Sequence, residues 1–277
     1  MIGLVGLGQM GGAMLRRLSE QGQAVRGFDL DPDLREAALS PCTGAADVAA
    51  PLVILSLPHA RAVESVLAEL LPCMPRGSVI ADTSTLEPAA ARLFSAMAAG
   101  GGVAYLDTPV SGGPAGAASG QLSMMVGGDG EALEQARPGL ALLAARIIHI
   151  GASGAGQVAK LANNLLVATH LAAAAEALRM AAAAGVLPGA ILPVINAASG
   201  RSAATEVNWP RWIETGAFDS GFTAGLMRKD VRLALGLAGE MAVSLTVCAA
   251  AATLWESSAV PDAADFNRVA AAIFEGE

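Results

Sequence analysis

The chain has 277 residues, 53% of them hydrophobic and 15% charged, with a net charge of −8 and a mean hydropathy of +0.51. That excludes a disordered chain and makes two domains the starting expectation. The acidic balance excludes nucleic acid as a main partner, and every long apolar stretch is broken by charge or glycine, as 165–187 is by Glu176 and Arg179, so no membrane partner is expected.

Up to residue 150 short apolar runs alternate with helix-like segments. Strands are predicted at 2–5, 24–28, 52–56, 78–81, 103–106, 122–126 and 147–150, and helices at 10–20, 32–39, 60–70, 88–99 and 131–144. Pro32 and Pro88 stand where a first helical turn accepts proline. This rhythm predicts a doubly wound, largely parallel α/β sheet. From Gly151 the strand signals vanish. Within the segment 154–184 about 28 helical residues would span roughly 42 Å at the usual rise, followed by helices at 188–197, 203–215, 227–239 and 246–257. The expected domains are therefore 1–150, a sheet domain, and 151–277, all α. The three cysteines, Cys42, Cys73 and Cys248, form no CxxC pair. They fit a reducing cytoplasm and are expected to be small buried apolar residues. The start, MIGLVGLGQM, has no basic stretch before it and reads as a buried strand rather than a targeting signal.

Gly6-Leu7-Gly8-Gln9-Met10-Gly11 places GxGxxG between the first strand and the first helix. There one glycine permits the tight bend, one lets backbone approach a pyrophosphate, and one lets helix and strand pack closely. The helix N-terminus would face the phosphates. The second strand ends at Asp29, 18 residues after Gly11, where a carboxylate can accept from both ribose hydroxyls. Together these predict a dinucleotide-binding Rossmann domain. Asp29 would repel a 2′-phosphate, and Leu30 and Asp31 offer no arginine to hold one, so NAD is favoured over NADP. Asp31 reads as the cap of the helix at Pro32.

Of 17 basic residues only Lys160 and Lys229 are lysines, leaving 15 arginines. Arginine stays protonated at working pH, whereas lysine can exchange a proton, as a general acid/base must. Lys160 lies early in the long helix with Asn163 and Asn164 three and four residues on, so the polar groups project from neighbouring positions on one face. Burying them in so apolar a helix without purpose would be costly.

With these motifs the chain resembles the β-hydroxyacid dehydrogenases over essentially its whole length, nearest to the 3-hydroxyisobutyrate branch. GLGQMGGAM looks like the family's cofactor motif. The run Asp107-Thr-Pro-Val-Ser-Gly-Gly, continued by Gly116-Ala and GQLSMMVGG from Gly120, looks like its substrate motif. GAGQVAKLANN from Gly154 looks like its catalytic motif, and FTAGLMRKD at 222–230 is a fourth match. The resemblance implies that Lys160 exchanges a proton with the substrate oxygen and that Asn164 orients the substrate. It implies further that Ser111, Gly112, Gly113 and Asn163 bind the substrate, the two glycines letting N–H groups approach a carboxylate. Cofactor contacts are implied for Gly6, Gly8, Gln9, Met10, Gly11, Asp29, Leu57, Pro58, Thr85, Phe222 and Lys229. A 6-phosphogluconate dehydrogenase would carry histidine at Asn163, and imine reductases of this fold lack the lysine.

His59, His149 and His170 are not expected to be catalytic, and no cluster has metal-ligand spacing, so no metal is expected. The expected activity is NAD-dependent oxidation of a short 3-hydroxy acid, foremost 3-hydroxyisobutyrate to methylmalonate semialdehyde in valine breakdown. The alternatives are tartronate or succinate semialdehyde reduction and, from another class, a non-enzymatic NAD(H)-binding protein. A homodimer or homotetramer is expected to bury the apolar helical domain.

Overall fold

Ile2–Val5, four consecutive buried apolar residues, forms β1 inside an eight-stranded sheet. A computed structural model describes residues 1–36 and 42–276, and the chain divides into the units Met1–Lys160 and Leu161–Glu277. In the first, β2 (Val25–Phe28), β3 (Leu52–Leu55), β4 (Val79–Asp82) and β5 (Ala104–Asp107) run parallel to β1 in the order β2-β1-β3-β4-β5. The chain leaves β1 toward β2 on one side and β3 on the other. The strand order reverses there, and the carboxyl ends of β1 and β3 flank the crevice in which open α/β sheets bind ligands. The helices following these strands are α1 (Gln9–Glu20), α2 (Pro32–Glu36), α3 (Ala60–Leu70) and α4 (Pro88–Gly100).

Alternate side chains of the strands face opposite ways, and both faces are buried. Leu4, Ile54 and Ala81 pack with Met14, Leu18 and Leu106 in one cluster. Val5, Val53 and Ile80 pack with Leu67, Leu70 and Phe94 in the other. This is why the strands read as unbroken apolar runs; each large side chain so buried contributes about 1.5–3 kcal/mol.

Beyond β5 the sheet departs from the simple βα rhythm. β6 (Val110–Ser111), α5 (Gly113–Ser119) and β7 (Leu122–Gly127) precede α6 (Gly130–Leu140) and the edge strand β8 (Ala144–Gly151). β7 pairs antiparallel with β5 and β6, and parallel with β8. The predicted strands omit β6, and the predicted helix 131–144 is too long: α6 stops at Leu140 because Ala144 pairs with Leu122. The last positions of the predicted helix 32–39 lie outside the described residues.

α7 (Ala155–Ala183) is 29 residues long, with the length and apolar composition of a membrane span. In the second unit Leu161, Leu165, Ala168, Leu171, Ala175 and Leu178 follow its helical repeat into one core cluster with Val231, Trp255 and Val269. The Trp255 indole N–H donates to the Ala168 carbonyl at 3.0 Å. The remaining helices are α8 (Pro188–Ala197), α9 (Ala224–Glu240), α10 (Thr246–Ser257) and α11 (Asn267–Glu275). Ala204–Ile213, expected as ordinary helix, is a π-helix. Pro210 has no N–H for a carbonyl four residues back, and the Glu214 N–H reaches five residues back to Trp209. The chain divides at Lys160/Leu161, inside α7 and ten residues beyond the expected 150/151, because the first turn of α7 is tied to β5 and the loop after β4. Cys42 is buried, Cys248 half-buried and Cys73 exposed, so the expectation of three buried thiols fails at Cys73.

Candidate functional site

The turn between β1 and α1 requires its glycines. Gly6 has φ +89°, and a Cβ there, or at Gly11, would overlap the carbonyl oxygen of Ser56 or of Gly6 respectively. At Gly8 a Cβ would meet nothing within 4 Å. Gly8 is also the N-cap of α1, whose first turn has no side-chain cap and no acidic residue. The first turn of α1 therefore has no side-chain acceptor for its N–H groups, and the backbone at Gly8 leaves room for close approach, as a pyrophosphate cradle requires. Asp29 is bound to this turn: its Oδ2 accepts from the Leu7 N–H at 2.6 Å and its Oδ1 from the Asp31 N–H at 2.9 Å. Besides any ribose contact, it fixes the phosphate turn to the end of β2. Asp31 caps α2 as expected, accepting from the Asp33 N–H at 3.0 Å.

Across the crevice the Leu57 N–H donates to Ser84 Oγ at 2.9 Å, joining the loop after β3 to the loop after β4 that carries Thr85. Leu57 and Thr85 are half-buried and Pro58 is exposed. His59 is occupied as the N-cap of α3, its Nδ1 accepting from the Ala62 N–H at 3.1 Å. The His149 ring lies 2.9 Å from the Gly128 carbonyl. Among the described residues no group of three His, Cys, Asp or Glu could hold a metal.

Ser111 ends β6, and Gly112 and Gly113 follow with φ +124° and +63°. Consecutive positive angles suit glycine and no residue with a Cβ.

Lys160 lies two turns into α7 and is only 7% exposed. The turn beneath it is anchored by groups to which the sequence reading assigned no role. The Asp107 carboxylate, at the end of β5, accepts from the Gly154 N–H at 2.8 Å and the Gln157 N–H at 3.0 Å. The Gln157 carboxamide donates to the Ser84 carbonyl and accepts from the Leu86 N–H, both at 2.9 Å. Burial pushes the Asp107 carboxyl above its ordinary value, although backbone N–H groups, those of Gly154 and Gln157 foremost, pull it down. The one sequence signal was that Asp107 opens the substrate motif at a strand end.

In the second unit the polar residues form a chain. Asn163 Nδ2 donates to Asn164 Oδ1 at 3.0 Å, and Asn164 Nδ2 to Asp230 Oδ2 at 2.6 Å. Lys229 Nζ lies 3.3 Å from Asp230 Oδ1. Asn164 is 4% exposed and Asp230 1%. Phe222 is half-buried and packs edge-on against Phe266, with centroids 5.5 Å apart.

Residues 1–151 match the family profile described as the NAD binding domain of 6-phosphogluconate dehydrogenase. Residues 154–273 match that described as NAD-binding of NADP-dependent 3-hydroxyisobutyrate dehydrogenase. The chain is 40% identical to the NAD-dependent L-serine dehydrogenase of Pseudomonas aeruginosa over 256 residues, 87% of this chain and 85% of that one. It is 35% identical to the 2-(hydroxymethyl)glutarate dehydrogenase of Eubacterium barkeri over 264 residues, covering 92% and 88%. The Mycobacterium tuberculosis 3-hydroxyisobutyrate dehydrogenase, solved with L-serine, superimposes with a TM-score of 0.91 at 34% identity, covering 97% of each chain.

Proposed function

We propose that this chain, which belongs to the β-hydroxyacid dehydrogenase family and binds NAD, oxidises the primary alcohol of a 3-hydroxy acid, foremost 3-hydroxyisobutyrate, to its semialdehyde. The observation that carries this reading is a buried lysine on a helix whose first turn is fixed by Asp107 and Gln157. When bound, NAD supplies the hydride acceptor. Lys160, as the neutral amine, takes the hydroxyl proton during oxidation; as the ammonium it returns that proton to the carbonyl oxygen in reduction. The N–H groups around Ser111, Gly112 and Gly113 receive the substrate carboxylate, and Asn164, oriented by Asp230, holds the substrate by hydrogen bonding, with Asn163 beside it. Gly6, Gly8, Gln9, Met10 and Gly11 receive the pyrophosphate. Asp29 receives the ribose and disfavours a 2′-phosphate, which supports NAD over NADP. Leu57, Pro58 and Thr85, on the loops after β3 and β4, border the nicotinamide end.

3-Hydroxyisobutyrate, L-serine and 2-(hydroxymethyl)glutarate share the skeleton HOCH2–CHR–COO− and differ only in R. This supports a substrate class broader than one acid. The P. aeruginosa relative favours a second reading, L-serine as the preferred member. A panel of the three acids and D-glycerate, each with NAD and with NADP and followed by the absorbance of the reduced nicotinamide, separates these readings. We expect 3-hydroxyisobutyrate with NAD to give the highest kcat/KM. Lys160→Ala is expected to lose about 10³-fold in kcat while still binding NADH; turnover above a tenth of wild type would sink the assignment.

A further inference from the structure

The substrate motif and the catalytic motif are joined inside the first unit by one buried carboxylate. Asp107 is fully buried, and its two oxygens accept from the N–H groups of Gly154 and Gln157 at the very start of α7. It thus does from another strand what an N-cap side chain does from within a helix, and it sets a negative charge against the positive end of the helix dipole. The chain leaves room for this and nothing more. A Cβ at Gly127 would come within 2.6 and 2.7 Å of the Asp107 oxygens, and one at Gly156 within 2.8 Å. Gly127 is thereby explained as clearance for the carboxylate, and Gly156 as clearance for it and, more closely, for the carbonyl oxygens of Met125 and Asp107.

Gln157 makes the second tie. One turn before Lys160 on α7, its carboxamide is fully buried and bridges the Ser84 carbonyl and the Leu86 N–H on either side of Thr85. Ser84 is itself fixed: its N–H donates to Asp82 Oδ1 at 2.9 Å, and Asp82 Oδ2 accepts the Tyr105 hydroxyl at 2.6 Å. Its Oγ holds the Leu57 N–H. The first turn of α7 is therefore tied to the ends of β3, β4 and β5 together, in a buried network that is fully hydrogen-bonded at Asp107 and Gln157.

We propose that Asp107 and Gln157 are positioning residues for proton exchange at Lys160, fixing the depth and rotation of the turn that carries the amine relative to the loop carrying Thr85. This rests on Lys160 being the proton-exchanging group. A displacement of about 1 Å in such a group can cost on the order of 100-fold in rate. Substrate and NADH affinity, set by other residues, should change little.

The test compares Asp107→Asn, Gln157→Met and Lys160→Ala in the full chain, with 3-hydroxyisobutyrate and L-serine as substrates. Asp107→Asn keeps the shape but can no longer accept from both N–H groups; Gln157→Met keeps the bulk and removes both hydrogen bonds. The expected result is a fall in kcat of about 100-fold for Asp107→Asn and at least about 10-fold for Gln157→Met. KM and NADH affinity should stay within about threefold, and the primary deuterium isotope effect from substrate deuterated at the hydroxymethyl carbon should rise. A kcat within about threefold of wild type in either soluble variant, with Lys160→Ala inactive, overturns the positioning role alone. An active Lys160→Ala overturns the reading beneath it, and the proposal with it. Should Asp107→Asn not fold, Gln157→Met decides by the same measurements, and failure of both to fold would make the pair purely structural and the proposal wrong.

Discussion

Asp29 and Asp107 in the first unit are held differently from Asp230 in the second. In the first, the carboxylates that matter are met by main-chain N–H groups: Asp29 by Leu7 and Asp31, Asp107 by Gly154 and Gln157. In the second, Asp230 is met by side chains, the Asn164 carboxamide and the Lys229 ammonium. Main-chain donors are placed by strand order and by glycines that clear the way, so substitution of neighbouring side chains leaves them in position. Side-chain donors can each be lost in one step. The first unit is thus built to keep a nucleotide and a helix start in fixed places. The second presents a polar chain, Asn163–Asn164–Asp230–Lys229, that single side-chain substitutions can retune.

That contrast can be broken most forcefully at Trp255, fully buried in the second unit's single core cluster. Trp255→Ala is expected to destabilise that unit by about 3–5 kcal/mol and to remove the indole hydrogen bond to the Ala168 carbonyl. Hydrogen exchange should quicken across α9 and the later turns of α7 while β1 to β5 keep their protection; equal loss in both units would contradict the separation of cores.

A smaller effect sharpens the contrast at the site. Asp230→Ala releases the Asn164 carboxamide and is expected to lower kcat/KM about 10- to 100-fold, equivalent to the roughly 1.5–3 kcal/mol of a hydrogen bond to a charged group. Asp230→Asn, which keeps an acceptor, should recover part of that loss. If Ala and Asn behave alike in steady-state kinetics, the hydrogen bond is not what orients Asn164.

The smallest expected effect concerns Asp82 and depends on pH. Burial raises its carboxyl above the ordinary 3.8, with the Ser84 and Tyr105 hydrogen bonds opposing and Asp107 adding to the rise. The folded form therefore binds the proton more tightly than the unfolded form does. The stability linked to that proton is fully present below about 3.8 and is lost as pH rises through the higher folded value. At neutral pH the buried charge is a cost, so Asp82→Asn, whose amide can meet the Tyr105 hydroxyl, should raise Tm there and flatten this part of the pH dependence. A lower Tm at neutral pH would show that the carboxylate, not its shape, is what Tyr105 and Ser84 require.

The sequence by itself determined the elements whose pattern is local. β1, α3, α8 and α10 stand at the residues that apolar runs, helical spacing and proline at a first turn indicate. GxGxxG followed by Asp29 was legible because strand, turn and helix lie within one short stretch, and Lys160 because lysine is so scarce in this chain. Only the tertiary structure decided what depends on distant partners. α5 carries glycine and proline as a loop does and is helical where Ala117 packs into the cluster that holds Met14. Asp107 has nothing in its neighbourhood of sequence to mark it as the cap of α7, whose preceding Gly154 lies 47 residues away. A hydrogen bond across such a separation follows from strand order and from the space left at Gly127 and Gly156, and neither exists until the sheet has assembled.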